Sequence, residues 1–269
     1  MSVASVASVA SVASVAVVRE RPLRDTWHVF VREMRPVLRD PFSLIFSLLQ
    51  PLVFLGLFGP LLVGSAGGTA ADTLVWFVPG ILVMTVLFGA GATGSNLLFE
   101  AQTGSHERTL VAPISRSALL VGRALKEIAP IIVQSALIVA VALPFGYRAD
   151  PLGLLAGFVL LALFGVGLGS LSYTLAMASR KTDWMFWAVQ QSLIFPLMIL
   201  SGMLLPLDDG PAWMRTAASI NPISHIVTAE RALLAGDVLT TKVLYGFTAG
   251  LALAAVGLLV GIRAMRRQS

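Results

Sequence analysis

The chain has 269 residues, of which 57% are hydrophobic and 12% charged, with a mean hydropathy of +0.85 and a formal net charge of +5. A water-soluble domain of this size needs a more polar surface, so the composition excludes one. The absence of cysteine excludes disulfides and thiolate chemistry, and the three dispersed histidines, His28, His106 and His225, spell out no metal cluster.

Ser2 to Ala16 is five consecutive Ser-Val-Ala units without charge. No basic region precedes it, which a secretory signal would require, and residues 1–18 are expected to form a low-complexity, disordered tail. In the next segment, 19–41, Leu23, Trp27, Phe30, Met34 and Leu38 recur at helical spacing, with Arg24, Arg32 and Arg39 between them. That pattern predicts an amphipathic helix in the inner membrane interface, its arginines toward the headgroups.

Residues 42–269 carry six long apolar stretches, at about 42–64, 75–97, 122–145, 152–177, 185–206 and 243–262. Roughly 20 residues cross a bilayer core at 1.5 Å per residue, so the expected fold is an all-α integral membrane protein with six transmembrane helices. Of the 19 Lys and Arg residues, all but Arg148, Arg215, Arg231 and Lys242 fall in segments on one side. Basic residues in short loops stay cytoplasmic, which places both termini inside, in a multi-pass protein of the cell membrane. Basic charge beside apolar spans fits anionic headgroups and topology, and not nucleic acid.

No ionisable residue sits at the centre of a span. Ion-coupled carriers keep such residues where protons or cations bind, so energy for uphill transport has to come from outside this chain. The uncharged polar residues Gln50, Ser95, Asn96, Gln134, Gln190 and Gln191 are candidates for a substrate path, or for hydrogen bonds between helices. Gly89, Gly91 and Gly94 spell GxGxxG, but inside an apolar span without a preceding strand they fit close helix packing, as do Gly165, Gly167 and Gly169. No Gly-Lys dipeptide occurs, so the phosphate-cradling GxxxxGK[ST] loop is missing. The chain is therefore not expected to hydrolyse ATP by that route.

The connection from Glu100 to Arg116 is charged and punctuated. Gly104 and Ser105 can start a short helix, Glu107 suits its first turn, and Pro113 stops it. A plain connection between antiparallel spans needs about half this length, which suggests a docking element.

Gly104-Ser-His-Glu-Arg-Thr-Leu-Val-Ala-Pro-Ile-Ser-Arg116, with Asn221-Pro222-Ile-Ser-His and Glu230-Arg231-Ala-Leu-Leu, resembles the type-2 ABC export permeases, in particular their daunorubicin-resistance-like branch. The resemblance runs from about Pro22 to the C-terminus and implies a homodimer working with two copies of an ABC ATP-binding subunit, which holds the ATP and Mg. It implies that Gly104 and Pro113 set the ends of a coupling helix, that Glu107 and Arg108 make polar contacts, that Leu110 and Val111 pack into the ATPase, and that Arg116 belongs to the same coupling segment. It implies further that the helix bearing Trp27, Phe30, Arg32 and Met34 braces that interface. Asn221, Pro222, Glu230 and Arg231 then belong to an external re-entrant or interfacial segment. The function that the resemblance implies is that of a transport subunit, not an enzyme and binding no cofactor of its own, in the ATP-driven export of an amphipathic or lipid-like compound. A partner-free carrier or channel, and a membrane anchor that transports nothing, are the alternatives.

Overall fold

A computed structural model describes residues 22–39, 41–66, 69–102, 116–180, 182–207 and 210–266. The described residues form ten α-helices and no strand: α1 Pro22–Arg39, α2 Pro41–Ala66, α3 Ala70–Gln102, α4 Arg116–Lys126, α5 Ile128–Ala142, α6 Pro151–Ala178, α7 Asp183–Ile199, α8 Ala212–Ile220, α9 Pro222–Leu234 and α10 Thr241–Arg266. Four of them begin on proline, whose fixed φ suits a first helical turn and whose missing N–H is not needed there. α6 is further capped by Asp150, whose carboxylate accepts the Gly153 N–H at 2.7 Å.

Four segments among the described residues are long and apolar enough to cross a bilayer: Ala70–Phe99, Val121–Phe145, Pro151–Ala178 and Thr241–Ala264. They coincide with the second, third, fourth and sixth apolar stretches. The first stretch forms α2, whose described apolar part is Phe46–Leu61. The fifth was expected to continue to residue 206, but α7 ends at Ile199. There the Ser201 hydroxyl donates to the Met198 carbonyl at 2.6 Å, and Gly202 adopts φ +71°. The chain turns back and buries Met203 against Gly80 of α3, where a side chain larger than hydrogen would meet the Met203 carbonyl. The third stretch is interrupted at Glu127, a turn between α4 and α5. The expected amphipathic helix is α1, and the 206–244 connection holds two short helices, α8 and α9.

α6 is the hub, packed against α3, α10, α9 and α5. Its contact with α10 is backbone on backbone: Gly167 faces Leu253 and Ala254, and Gly257 faces the Gly167 carbonyl, so small residues set the crossing as expected. Gly94 likewise meets Ser172 and Phe186, and Gly165 meets Ile131, whereas Gly89 has open space around it. The larger buried cluster centres on Phe77, Ile81, Met84, Leu160, Phe164 and Ile226, and a smaller one gathers Val29, Leu97, Tyr173, Met177 and Phe186 at the α1 end. Phe46, Leu57, Leu155, Val159, Leu251 and Leu259 point outward from the long helices. Apolar surface so placed is what a lipid solvent requires of helices whose backbones satisfy themselves.

Candidate functional site

Three groups of residues qualify, one at each end of the bundle and one between. At the α1 end, Gly104, Glu107, Arg108, Leu110, Val111 and Pro113 lie outside the described residues, as does the 1–18 tail. Arg116 opens α4, the helix into which that loop leads. α4 packs along α1, and the close approach is at Gly122: a Cβ there would lie 2.7 Å from Val29 Cγ1 and 3.0 Å from the Thr26 carbonyl. Val29 is fully buried in this contact, and Met34 is buried further along. Trp27 is 62% exposed and stacks on the half-buried Phe30 at 5.4 Å, while Arg32 is exposed, so α1 offers one face to α4 and keeps Trp27 and Arg32 outside. The stripe expected from periodicity is divided, with Trp27 exposed, Phe30 half-buried and Met34 buried, and it misses Val29, which sits between its positions.

Next to this contact, Arg123 is buried and donates to the Tyr173 hydroxyl at 3.2 Å, its guanidinium carbon 5.5 Å from the Tyr173 ring centroid. A buried guanidinium needs such partners. The Ser172 hydroxyl donates to the Gly91 carbonyl at 2.6 Å and accepts the Gly94 N–H at 3.1 Å, tying α3 to α6 one turn away.

The candidate pathway residues do not converge on one channel. Gln134 is buried and its Nε2 donates to Ser47 Oγ at 2.6 Å, beside Gln50 in a cavity of about 190 Å³. Gln190 turns toward Gly91, whose missing side chain leaves it room, and its Oε1 is buried without a hydrogen-bond partner. Asn96 and Gln191 are exposed, and Ser95 is half-buried. Only Gln50 and Gln134 share a site.

At the opposite end, Asn221 is the hub of the α8–α9 corner. Its Oδ1 accepts the Ile223 N–H at 3.0 Å, capping α9, and its Nδ2 donates to the Leu197 carbonyl at 2.8 Å, fixing α9 to the end of α7. Pro222 is the first residue of α9. Arg231 donates from Nε to the Trp76 carbonyl at 3.0 Å and from Nη2 to the Gly202 carbonyl at 2.8 Å, with its guanidinium carbon 4.1 Å from the Trp76 ring centroid. It joins α9, α3 and the turn after α7. Glu230 is fully buried, and neither carboxyl oxygen has a hydrogen-bond partner. Burial pushes its pKa up to about 8, the shift expected where the charged form loses its water. Burial, and secondarily the Glu230 charge, also raise the pKa of the Tyr147 hydroxyl, which is itself without a partner. Sequence reading placed Glu230 in an external connection, and only the packing of α9 on α6 and α10 reveals its burial.

None of these groups forms a set of hydrolytic or metal-binding side chains: among the described residues no three His, Cys, Asp or Glu cluster to hold a metal. The geometry is that of a helical bundle with stapled ends. The profile of the ABC-2 type transporter family matches residues 24–234. The chain is 28% identical over 225 residues to the daunorubicin resistance ABC transporter permease protein DrrB1 of Streptomyces coeruleorubidus, covering 81% of this chain and 79% of that protein. It is 32% identical over 200 residues to the putative transport permease ycf38 of Cyanophora paradoxa, covering 72% and 69%. It is 24% identical over 236 residues to the probable doxorubicin resistance ABC transporter permease protein DrrC of Mycobacterium tuberculosis, covering 84% and 83%. Bundle, apolar surface and relatives agree: the chain belongs to the ABC-2 type transporter family and is a membrane permease subunit of an ABC exporter, in which ATP is hydrolysed on a separate subunit.

Proposed function

We propose that this permease moves an amphipathic or lipid-like compound out of the cell, driven by an ABC ATP-binding subunit that docks on the loop between α3 and α4. The names of the daunorubicin and doxorubicin resistance relatives support a drug or antibiotic as cargo. In this reading six spans cross the membrane, counting α2 and α7 with the four long segments, both termini are cytoplasmic, and two copies of the chain assemble with two ATPases, which bind ATP and Mg. Glu107, Arg108 and Arg116 make polar contacts to the ATPase, Leu110 and Val111 fill its groove, and Gly104 and Pro113 bound the coupling helix.

The observation that carries the reading is the α1–α4 contact at Gly122 and Val29. A helix that leaves the loop and is clamped at once to the N-terminal amphipathic helix gives a displacement of the loop a rigid body to act on. α1, with Trp27 and Arg32 exposed, suits a helix resting in the inner headgroup layer.

The test is affinity purification of the tagged chain with its ATP-binding subunit from membranes, in mild detergent, followed by ATPase and efflux measurements. Glu107→Ala is expected to lower co-purification and efflux while insertion is unchanged. Undiminished efflux from Glu107→Ala removes the loop from coupling, and efflux by the purified chain alone in liposomes replaces the reading with a partner-free carrier.

A further inference from the structure

α2, α3 and α5 line two cavities that adjoin along α2, where Pro51 belongs to one lining and Leu52 to the other, and lie further apart along α3 and α5. The first, of about 190 Å³, is lined by Ser47 and Gln50 of α2, Thr85 and Gly89 of α3 and Gln134 of α5. The second, of about 670 Å³, is lined by Leu52, Leu55, Gly56 and Gly59 of α2, Leu74 of α3 and Val141 of α5, with Thr73 its single hydroxyl. The lining of the first sets the amides and hydroxyls of Ser47, Gln50, Thr85 and Gln134 beside Pro51, Met84 and Phe88, that of the second is hydrocarbon but for Thr73, and neither contains a charged side chain.

A second observation marks the same place. Among the described glycines, those with open space where a Cβ would stand are Gly56, Gly59 and Gly89, and all three line these cavities. Most of the other glycines on the long helices are pressed against a neighbour, as Gly94, Gly165, Gly167 and Gly257 are. Glycine in a helix costs about 1 kcal/mol against alanine, and helix packing does not account for these three. They keep a crevice open.

We propose that this crevice binds an uncharged amphiphile, its neutral hydrogen-bonding head on Gln50, Gln134 and Ser47 and its apolar body along Leu52, Leu55, Gly56 and Gly59. Two arguments select that chemistry over an anionic or cationic one. A charged head in this crevice would meet no opposite charge among the lining residues and would lose its water, which costs far more than amide and hydroxyl contacts return. A wholly apolar ligand would leave the Gln134 and Gln50 amides facing hydrocarbon. Thr85 fits the same role: its hydroxyl already donates to the Ile81 carbonyl at 2.8 Å, so it has only acceptor capacity for a ligand O–H or N–H. The larger cavity alone lies in the usual size range of small-molecule sites.

The inference deepens the export reading by naming its cargo class, and binding can be measured without transport. The full chain in nanodiscs of fixed phosphatidylcholine content would be titrated with a fluorescent diacylglycerol, a matching fluorescent phosphatidic acid and tetraphenylphosphonium. Gly56→Leu and Gly59→Leu place a side chain into the open space beyond each glycine, and Leu57→Phe, on an outward position of the same helix, is the control. The expected result is diacylglycerol binding that weakens about tenfold in each glycine variant, the effect of excluding about two methylenes, with the control unchanged. Gln134→Leu is expected to weaken diacylglycerol and leave the order of the two charged probes unaltered. Equal binding by wild type and both glycine variants overturns the crevice, and so does phosphatidic acid or the phosphonium binding as tightly as diacylglycerol. ATP-dependent transport in the co-reconstituted complex separates the two readings. Tight diacylglycerol binding without ATP-driven movement of any amphiphile upholds the crevice and sinks the export reading, whereas export undiminished in both glycine variants does the reverse.

Discussion

Gly157 of α6 and Glu230 of α9 are complementary: a Cβ on Gly157 would lie 2.6 Å from Glu230 Oε2, so the glycine leaves the space in which the carboxyl is buried. α9 approaches α6 again at Gly153, where the Leu233 carbonyl fills the place of a side chain, and α10 at Gly246, which faces Ala229. A buried carboxyl on a helix held at three glycines is stable as the neutral acid, which sets its response to pH.

Because burial raises the folded pKa of Glu230 to about 8, the folded state keeps its proton over a range in which the unfolded state has lost it. Stability is therefore full below the ordinary carboxyl pKa and declines as pH rises toward 8. Tyr147 is the titratable group whose environment registers Glu230, and it remains protonated throughout this range. Glu230→Gln is expected to flatten the dependence, with thermal unfolding in detergent from about pH 5 to 8 as the measurement. A parallel slope in the variant would assign the dependence to another group.

Gly157→Ala is expected to destabilise by about 1 to 3 kcal/mol, the usual penalty for overfilling a packed contact, since the Glu230 carboxyl must shift to accommodate the methyl. Gly89→Ala, in open space, is expected to be neutral or stabilising by up to about 1 kcal/mol. Thermal midpoints of the two variants measured side by side decide this.

Asn221→Ala removes both the α9 cap and the bond to the Leu197 carbonyl. A lost cap costs about 1 kcal/mol, and a buried carbonyl left without its donor adds about as much. Asn221→Asp keeps the cap and loses the donor, so it is expected to fall between the wild type and alanine. Amide hydrogen exchange over residues 212–234 should rise in the same order.

Gly167→Leu is expected to prevent α6 and α10 from meeting, because their approach at this point is backbone to backbone. Loss of the monodisperse peak in detergent size-exclusion chromatography is the expected outcome, and an unchanged elution profile would show that the crossing can slide.

The long helices were legible because hydrophobic runs of sufficient length have few alternatives in lipid. Their internal stops were not, because Leu200, Met203, Leu204 and Leu205 are as apolar as the residues of α7, and the reversal depends on Gly202 at φ +71° and on the Ser201 hydroxyl. The break at Glu127 had a weak signal in the adjacent Lys126 and Glu127, which sequence reading placed within the start of the third span. Val29 could not be singled out by periodicity, since its partner Gly122 is remote in sequence and has no side chain. The burial of Glu230 was hidden for a related reason: its segment reads as an external re-entrant or interfacial one until α6 and α10 supply the wall. Gln50 and Gln134 were visible as uncharged polar residues in apolar spans, but that they share a cavity while Asn96 and Gln191 face outward follows from helix rotation, which hydropathy does not record.

The contact of Val29 with Gly122 also orders events during synthesis. α1 leaves the ribosome before any other helix of the bundle, yet the surface it packs against is made only after α2, α3 and the following loop. Until then α1 lacks its contact with α4, and its exposed Trp27, stacked on Phe30, gives it the membrane surface as a place to wait. The element that comes first in the chain is thus among the later ones to be locked in place, and its locking reports that the third span has been inserted.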